Sequence, residues 1–243
     1  MKKILLTSLG LASAFALVGC NNTSKSAEPT VKGYQITVEY EDGTKAPNVK
    51  LQFCNTQGEC YTPFVTTDST GVAVQSSESI LAKEGDLVVH VNSGLPSGYT
   101  YDPNSVIVNS NTMSGTIVLH ELASTEHLSG TLLSPAQLSK TGYYETCLQK
   151  GGLACCYIQF SETGTYEFET YGDSTSPSDT YVNLYSGTSL SDITKEGSDN
   201  DSGNGKNCKM SLTVSDTSRI YMFALLQQGT PVEDVLTFSI LKK

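Results

Sequence analysis

Tryptophan is absent from this 243-residue chain, histidine occurs three times, and charged residues make up only 16%. Without an indole, any aromatic binding platform must be built from the 13 tyrosines and 7 phenylalanines. Three histidines (His90, His120 and His127) are too few and too scattered along the chain to suggest a catalytic triad. Basic residues are scarce, 15 against 25 acidic, for a formal charge of −10. A surface of that sign repels nucleic acid and anionic lipid headgroups, so neither is expected as a partner. The chain also lacks G-x-S-x-G, H-E-x-x-H, a phosphate-binding glycine loop and G-x-G-x-x-G. These absences remove the common hydrolase, zinc-protease, nucleotide and dinucleotide classes, and no enzyme is expected.

Helical periodicity is nearly absent too, with residues 77–83 the only stretch suited to a helical turn. What recurs instead is short alternating runs of Val, Ile, Thr, Tyr and Phe, broken by Gly, Asn, Asp, Ser and Pro. Tyr34–Tyr40 alternates cleanly and stops at Asp42-Gly43, a hairpin signal. Strands are expected at 49–54, 71–75, 86–92, 105–108 and 115–120. A second series follows at 157–160, 164–171, 180–185, 209–214, 220–226 and 235–241. Residues 186–207 read as a long, polar, glycine-rich loop. The fold class is all-β, with two β-sandwich domains in tandem at 32–122 and 129–243, joined by a linker at 123–128.

Ahead of them stands a leader. Lys2 and Lys3 precede an apolar stretch from Ile4 to Val18 that is too short to span a bilayer permanently. Residues 1–19 read as a signal peptide, and Leu17-Val18-Gly19-Cys20 resembles the bacterial lipobox. That resemblance implies cleavage before Cys20, lipid attachment (palmitate among the acyl chains) to its thiol and firm anchoring. Residues 20–31 follow as the lipidated cysteine and a polar tether. The expected location is the cell envelope, outside the cytoplasm and held to the membrane by lipid.

Six cysteines remain: Cys54, Cys60, Cys147, Cys155, Cys156 and Cys208. An even number in an exported chain argues for three disulfides. Cys54 and Cys60 flank a turn-rich loop and should staple one hairpin. Cys155 and Cys156 point to opposite faces if they lie in a strand, so each should find a separate partner in Cys147 or Cys208; the order of pairing stays open. His90 in the run Leu87–Val91 reads as a solvent-facing strand residue, and His120-Glu121 with His127 is a candidate transition-metal set.

Two resemblances sharpen the domain reading. Residues 32–122 resemble the prealbumin-like repeat domains of bacterial surface proteins, including collagen-adhesin B-repeats and the carboxypeptidase regulatory-like domain. The likeness rests on Ile36 to Val38, Asp42-Gly43, Ala46 to Phe53, Thr67 to Ala73 and Leu95 to Tyr99. Asp68 can cap a turn through its side chain, and Gly71 supplies a left-handed residue. Some such repeats carry a Lys–Asn isopeptide, but the first strand here lacks the lysine, and the Cys54–Cys60 staple is expected in its place. Residues 129–243 resemble the pre-peptidase C-terminal family through Phe160 to Gly172, Asp179 to Tyr185, Asp199 to Gly205 and the strand at 209–214. Cys147, Cys155, Cys156 and Cys208 depart from that pattern. Some members of the family bind calcium, which makes Asp179, Asp199 and Asp201 candidate ligands. The competing account is a hairpin turn in which Asp199 and its neighbours satisfy their own backbone.

Aromatic pairs give a further lead. Tyr143-Tyr144, and Tyr99 with Tyr101, could stack on sugar rings, or could be half-buried sandwich residues. Together these features describe a non-catalytic, lipid-anchored envelope protein. Its expected role is adhesion or ligand binding, with a polysaccharide or an extracellular protein as partner. The alternatives are a purely structural spacer and an accessory subunit or inhibitor of an exported hydrolase.

Overall fold

The computed structural model describes residues 33–148, 152–172, 179–203, 206–228 and 234–243. The leader, Cys20 and the tether lie outside the described residues. The chain is all-β, with 56% strand and 2% helix, arranged as two sandwich-like domains.

The first domain runs β1 (Tyr34–Tyr40), β2 (Lys50–Asn55), β3 (Cys60–Thr66), β4 (Val72–Gln75), α1 (Glu78–Leu81), β5 (Leu87–Ser93), β6 (Tyr99–Thr100), β7 (Ile107–Val108) and β8 (Ser114–Glu121). Its two sheets have the orders β4-β1-β8-β6 and β3-β2-β5-β7. β1 and β8 run parallel, with Ile36 beside Gly115 and Val38 beside Ile117. Alternation decides which side chains meet between the sheets: Ile36, Val38, Leu51, Phe53, Val89, Ile117 and Leu119 share one apolar core. Cys54 and Cys60 face each other across β2 and β3 and form the expected disulfide.

The Thr67–Ala73 stretch does what its residues suggest. Thr67 Oγ1 donates to the Ala46 carbonyl at 2.8 Å and accepts from the Val49 amide at 2.9 Å. Asp68 Oδ1 accepts from the Thr70 amide and hydroxyl at 2.8 and 2.6 Å, which folds the turn onto its side chain. Gly71 sits at φ +71°, where a Cβ would lie 2.8 Å from the Val38 carbonyl oxygen.

The second domain comprises β9 (Ala136–Leu138), β10 (Gly142–Leu148), β11 (Leu153–Gln159), β12 (Gly164–Tyr171), β13 (Asp179–Gly187), β14 (Thr194–Asp199), β15 (Lys209–Val214), β16 (Ile220–Gln228) and β17 (Asp234–Lys242). Its sheets are β10-β17-β12-β15 and β14-β13-β16-β11-β9. Phe168 is fully buried at their centre, stacked on Phe223 at 4.7 Å and on Phe238 at 5.5 Å. One end is closed by a buried polar node. Thr170 and Thr180 hydroxyls lie 2.8 Å apart, and the Cys208 amide donates to Thr170 Oγ1 at 3.0 Å.

Several expectations need correction. Residues 186–207 are not one loop, because β14 lies within them and pairs with β13 from Val182–Asp199 to Ser186–Thr194. The expected linker is stitched to the second domain. The Ala123 amide donates to the Tyr143 carbonyl at 2.7 Å, and the Leu128 amide to the Glu145 carbonyl at 2.9 Å. His90 is buried, at 5% exposure, because β5 is an interior strand and its outer face is covered; Val88 and Cys54 on that face are buried too.

Only the first of the three expected disulfides is formed: Cys147, Cys155, Cys156 and Cys208 are free thiols. Their surroundings give the reason. Cys156 and Cys208 belong to the apolar core, with the Cys208 sulfur against the Thr170 and Thr180 hydroxyls. Cys155 lies outside that core cluster, and Cys147 meets a histidine instead of a sulfur.

Candidate functional site

Val31–Lys243 is one compact body, and the two sandwiches meet in a seam of polar and aromatic side chains. The Thr100 and Thr237 hydroxyls are 3.1 Å apart, and Asn104 Nδ2 donates to the Gly172 carbonyl at 3.0 Å. His120, one residue from the end of β8, stacks on Tyr143 of β10 with ring centroids 4.1 Å apart. Tyr143 in turn approaches Tyr171, whose hydroxyl lies 2.9 Å from that of Ser239. Burial pushes both phenols above their ordinary range, so they stay neutral donors. The Asp102 carboxyl, half-buried here, is also held above the usual carboxylate range, first by burial and then by nearby Glu169, against the Asn104 amide that lowers it.

The other face of His120 leads to a groove. Its Nδ1 lies 2.7 Å from Glu41 Oε1, which fixes the turn after β1. Glu41 lines a groove of about 370 Å³ at the ends of β1, β6 and β8, a volume at the small end of ligand sites. Tyr40 and Tyr99 stand edge to face in it, centroids 4.9 Å apart at 69°. Register explains the meeting: Tyr40 lies beside Leu119, and Tyr99 opposite Glu121, on the two sides of β8. Leu119 lies buried beneath the lining, while Glu41, Asp42 and Glu121 supply carboxylates. Asp42 is held below its usual range by the Thr44 amide and hydroxyl, so it is a firm anion at neutral pH. The arrangement joins ring faces and edges to hydrogen-bond acceptors, which suits a hydroxyl-rich or cationic ligand.

Of the four tyrosines singled out in the sequence, only Tyr99 lines the groove. Tyr144 is core, its hydroxyl donating to the Lys140 carbonyl at 2.5 Å. Tyr101 is half-buried, with its hydroxyl accepting from the Val91 amide at 2.9 Å. Tyr143 belongs to the seam. Tyr40, which sequence reasoning passed over, closes the clean alternation of β1, and its position just before the Asp42-Gly43 turn was the available signal.

The three candidate calcium ligands fare differently. Asp199 accepts from the Ser202 hydroxyl and from the Lys209 amide, at 2.5 and 2.8 Å. Asp201 meets Asn200 at 2.9 Å, and Asp179 pairs with Lys206 at 3.5 Å. Among the described residues no group of three His, Cys, Asp or Glu side chains is disposed to hold a metal ion. That applies equally to His120-Glu121 with His127, since His120 is engaged by Glu41 and His127 by Glu145.

A second groove, of about 490 Å³, opens between β14 and β15. Ser186, Glu196 and Arg219 form a network at its end: the Ser186 hydroxyl donates to Glu196 Oε1 at 2.6 Å, and the Arg219 guanidinium lies 3.2 Å from the same oxygen. Glu196 is thereby engaged by both neighbours, and the aromatic pair of the first groove has no counterpart there.

No family model and no curated protein matches the chain. Among solved structures, it is similar to the pre-peptidase C-terminal domain of collagenase from Bacillus anthracis, with 8% identity and a TM-score of 0.34. That match covers 44% of this chain and 94% of the other. It is also similar to BcpA, the major pilin subunit of Bacillus cereus, with 10% identity, a TM-score of 0.28, and coverage of 86% of this chain and 63% of the pilin. Likeness at this level identifies no family.

Proposed function

We propose that the chain is a lipid-anchored, non-catalytic protein of the cell envelope that binds a polysaccharide through the Tyr40–Tyr99 groove. One observation carries the reading: two tyrosine rings set edge to face beside Glu41, Asp42 and Glu121 in a single groove. A sugar offers an apolar ring face to tyrosine and hydroxyl donors to carboxylates, so the two halves of the lining serve one kind of ligand. The anchor rests on the Lys2-Lys3 leader and the lipobox-like ending at Cys20. Several acyl chains on one residue suffice for stable attachment.

Both halves are testable. Cells fed a palmitate analogue should label the parent and leave Cys20→Ala unlabelled; equal labelling would remove the anchor. The soluble piece from Ser24 onward should bind defined members of a glycan array. No binding to any glycan or matrix protein would favour the structural spacer.

A further inference from the structure

The thiol that was expected to form a disulfide is set in a different constellation. Glu145 and Cys147 lie two residues apart on β10, so their side chains share the face opposite to Tyr144, Thr146 and Leu148. The stretch after the 123–128 linker's start runs along that edge, with Leu128 bridged to Thr146 and the Cys147 amide donating to the Leu128 carbonyl at 3.3 Å. This seats His127 directly over the two side chains. Its Nδ1 lies 3.3 Å from Cys147 Sγ, and its Nε2 lies 3.0 Å from Glu145 Oε2.

The order of contacts matters. A carboxylate can only accept, so Nε2 carries the hydrogen in that bond, and Nδ1 is left with its lone pair toward the sulfur. A base oriented by an acid and aimed at a thiol is the arrangement that activates cysteine nucleophiles. Because Cys147 and Glu145 meet opposite edges of the ring, one cation could not take all three. The group is reachable from solvent: the His127 side chain is 45% exposed and Cys147 is half-buried.

We infer that Cys147 is a nucleophilic thiol, activated by His127 and positioned with Glu145, that takes up low-molecular-weight disulfides by thiol–disulfide exchange. His127 takes the thiol proton. The thiolate attacks one sulfur of the incoming disulfide, a new S–S bond forms as the old one breaks, and the departing thiolate leaves with one proton. Cys147 is oxidised as the departing half is reduced, so no further oxidant is required. The product is a mixed disulfide on the outer face of β10. The other three thiols contrast with it. All are buried, and burial pushes Cys155 and Cys208 up to about 11 and raises Cys156 as well, so none presents a thiolate to solvent. This inference is independent of the groove and of its ligand.

The test uses the full-length protein in detergent, oxidised glutathione as the probe, and intact and peptide mass for the readout. The expected result is one glutathione per native chain, located on Cys147. His127→Ala should slow its addition at least tenfold at neutral pH and Glu145→Gln by a smaller factor, with unchanged melting temperatures. Parent and variants should converge at about pH 10, above the roughly 8.5 of an ordinary thiol, where no base is needed. A loss of rate caused by misfolding would not converge. Equal rates at neutral pH in parent and His127→Ala would overturn the inference. So would preferential addition at Cys155, Cys156 or Cys208, or a Cys147 already bridged to another cysteine of the chain.

Discussion

The two sandwiches reach stability by different means. The first has a mostly aliphatic core in which Tyr34 and Phe53 are the large rings, 5.9 Å apart, and it adds a covalent staple at Cys54–Cys60. The second has no disulfide among its described residues. It relies on a stack of rings running from Phe223 through Phe168 to Phe238 and Tyr144, with Phe160, Tyr166 and Tyr221 beside it. An aromatic core buries more area per residue, and its ring pairs add stabilisation beyond that area. A short crosslink acts chiefly by restricting the unfolded chain. A β-sandwich can therefore take either route, and here each route occupies one half of the same body.

Substitutions can break this contrast. The largest effect is expected from Phe168→Ala, which opens a cavity in the ring stack and should cost about 3–5 kcal/mol in chemical denaturation. A loss under about 1 kcal/mol would mean that the stack is not the organiser of the second core. Replacing both Cys54 and Cys60 by Ser should cost about 2 kcal/mol, the chain-entropy value for so short a loop. It should act on the first sandwich alone, and a larger response from the second would contradict the division. Asp68→Ala should lower the melting temperature by less than loss of the disulfide does, because the Thr70 and Val72 amides lose their acceptor.

The smallest expected effect is at the seam, and its sign is opposite. The Asp102 carboxyl titrates above its unfolded value, so the native state is penalised as pH rises from the ordinary Asp range through the folded value. Asp102→Asn keeps the acceptor for the Asn104 amide, at 2.8 Å in the parent, and removes the charge. It should raise the melting temperature at pH 7 and leave it unchanged near pH 3. A fall at pH 7 would mean that the charge itself holds the seam through His120.

Strands with strict alternation were legible in the sequence: Tyr34–Tyr40, Gly164–Tyr171 and Lys209–Val214 fall where the pattern puts them. So did the Thr67–Ala73 turn, because Asp68 and Gly71 act within their own few residues. β10 was missed although Tyr144, Thr146 and Leu148 alternate into the core, since the neighbouring cysteines drew a disulfide reading to the segment. β14 was missed because it is an edge strand, exposed along most of its length, and carries no apolar face to report it. The groove was half legible. Tyr99 stood out, but its meeting with Tyr40 depends on a parallel β1–β8 pairing across about 80 residues of chain, which no local pattern encodes. The Cys147–His127–Glu145 group was hidden for the same reason, being made by edge pairing of the supposed linker.

The most direct test of the account is calorimetric titration of the soluble protein with a glycan drawn from the array, comparing the parent with Tyr99→Ala and Tyr40→Ala. Each variant should bind at least tenfold more weakly while keeping the parent's melting temperature to within a few degrees. Undiminished affinity in both variants would show that the ligand is held elsewhere and that the groove is not the binding site.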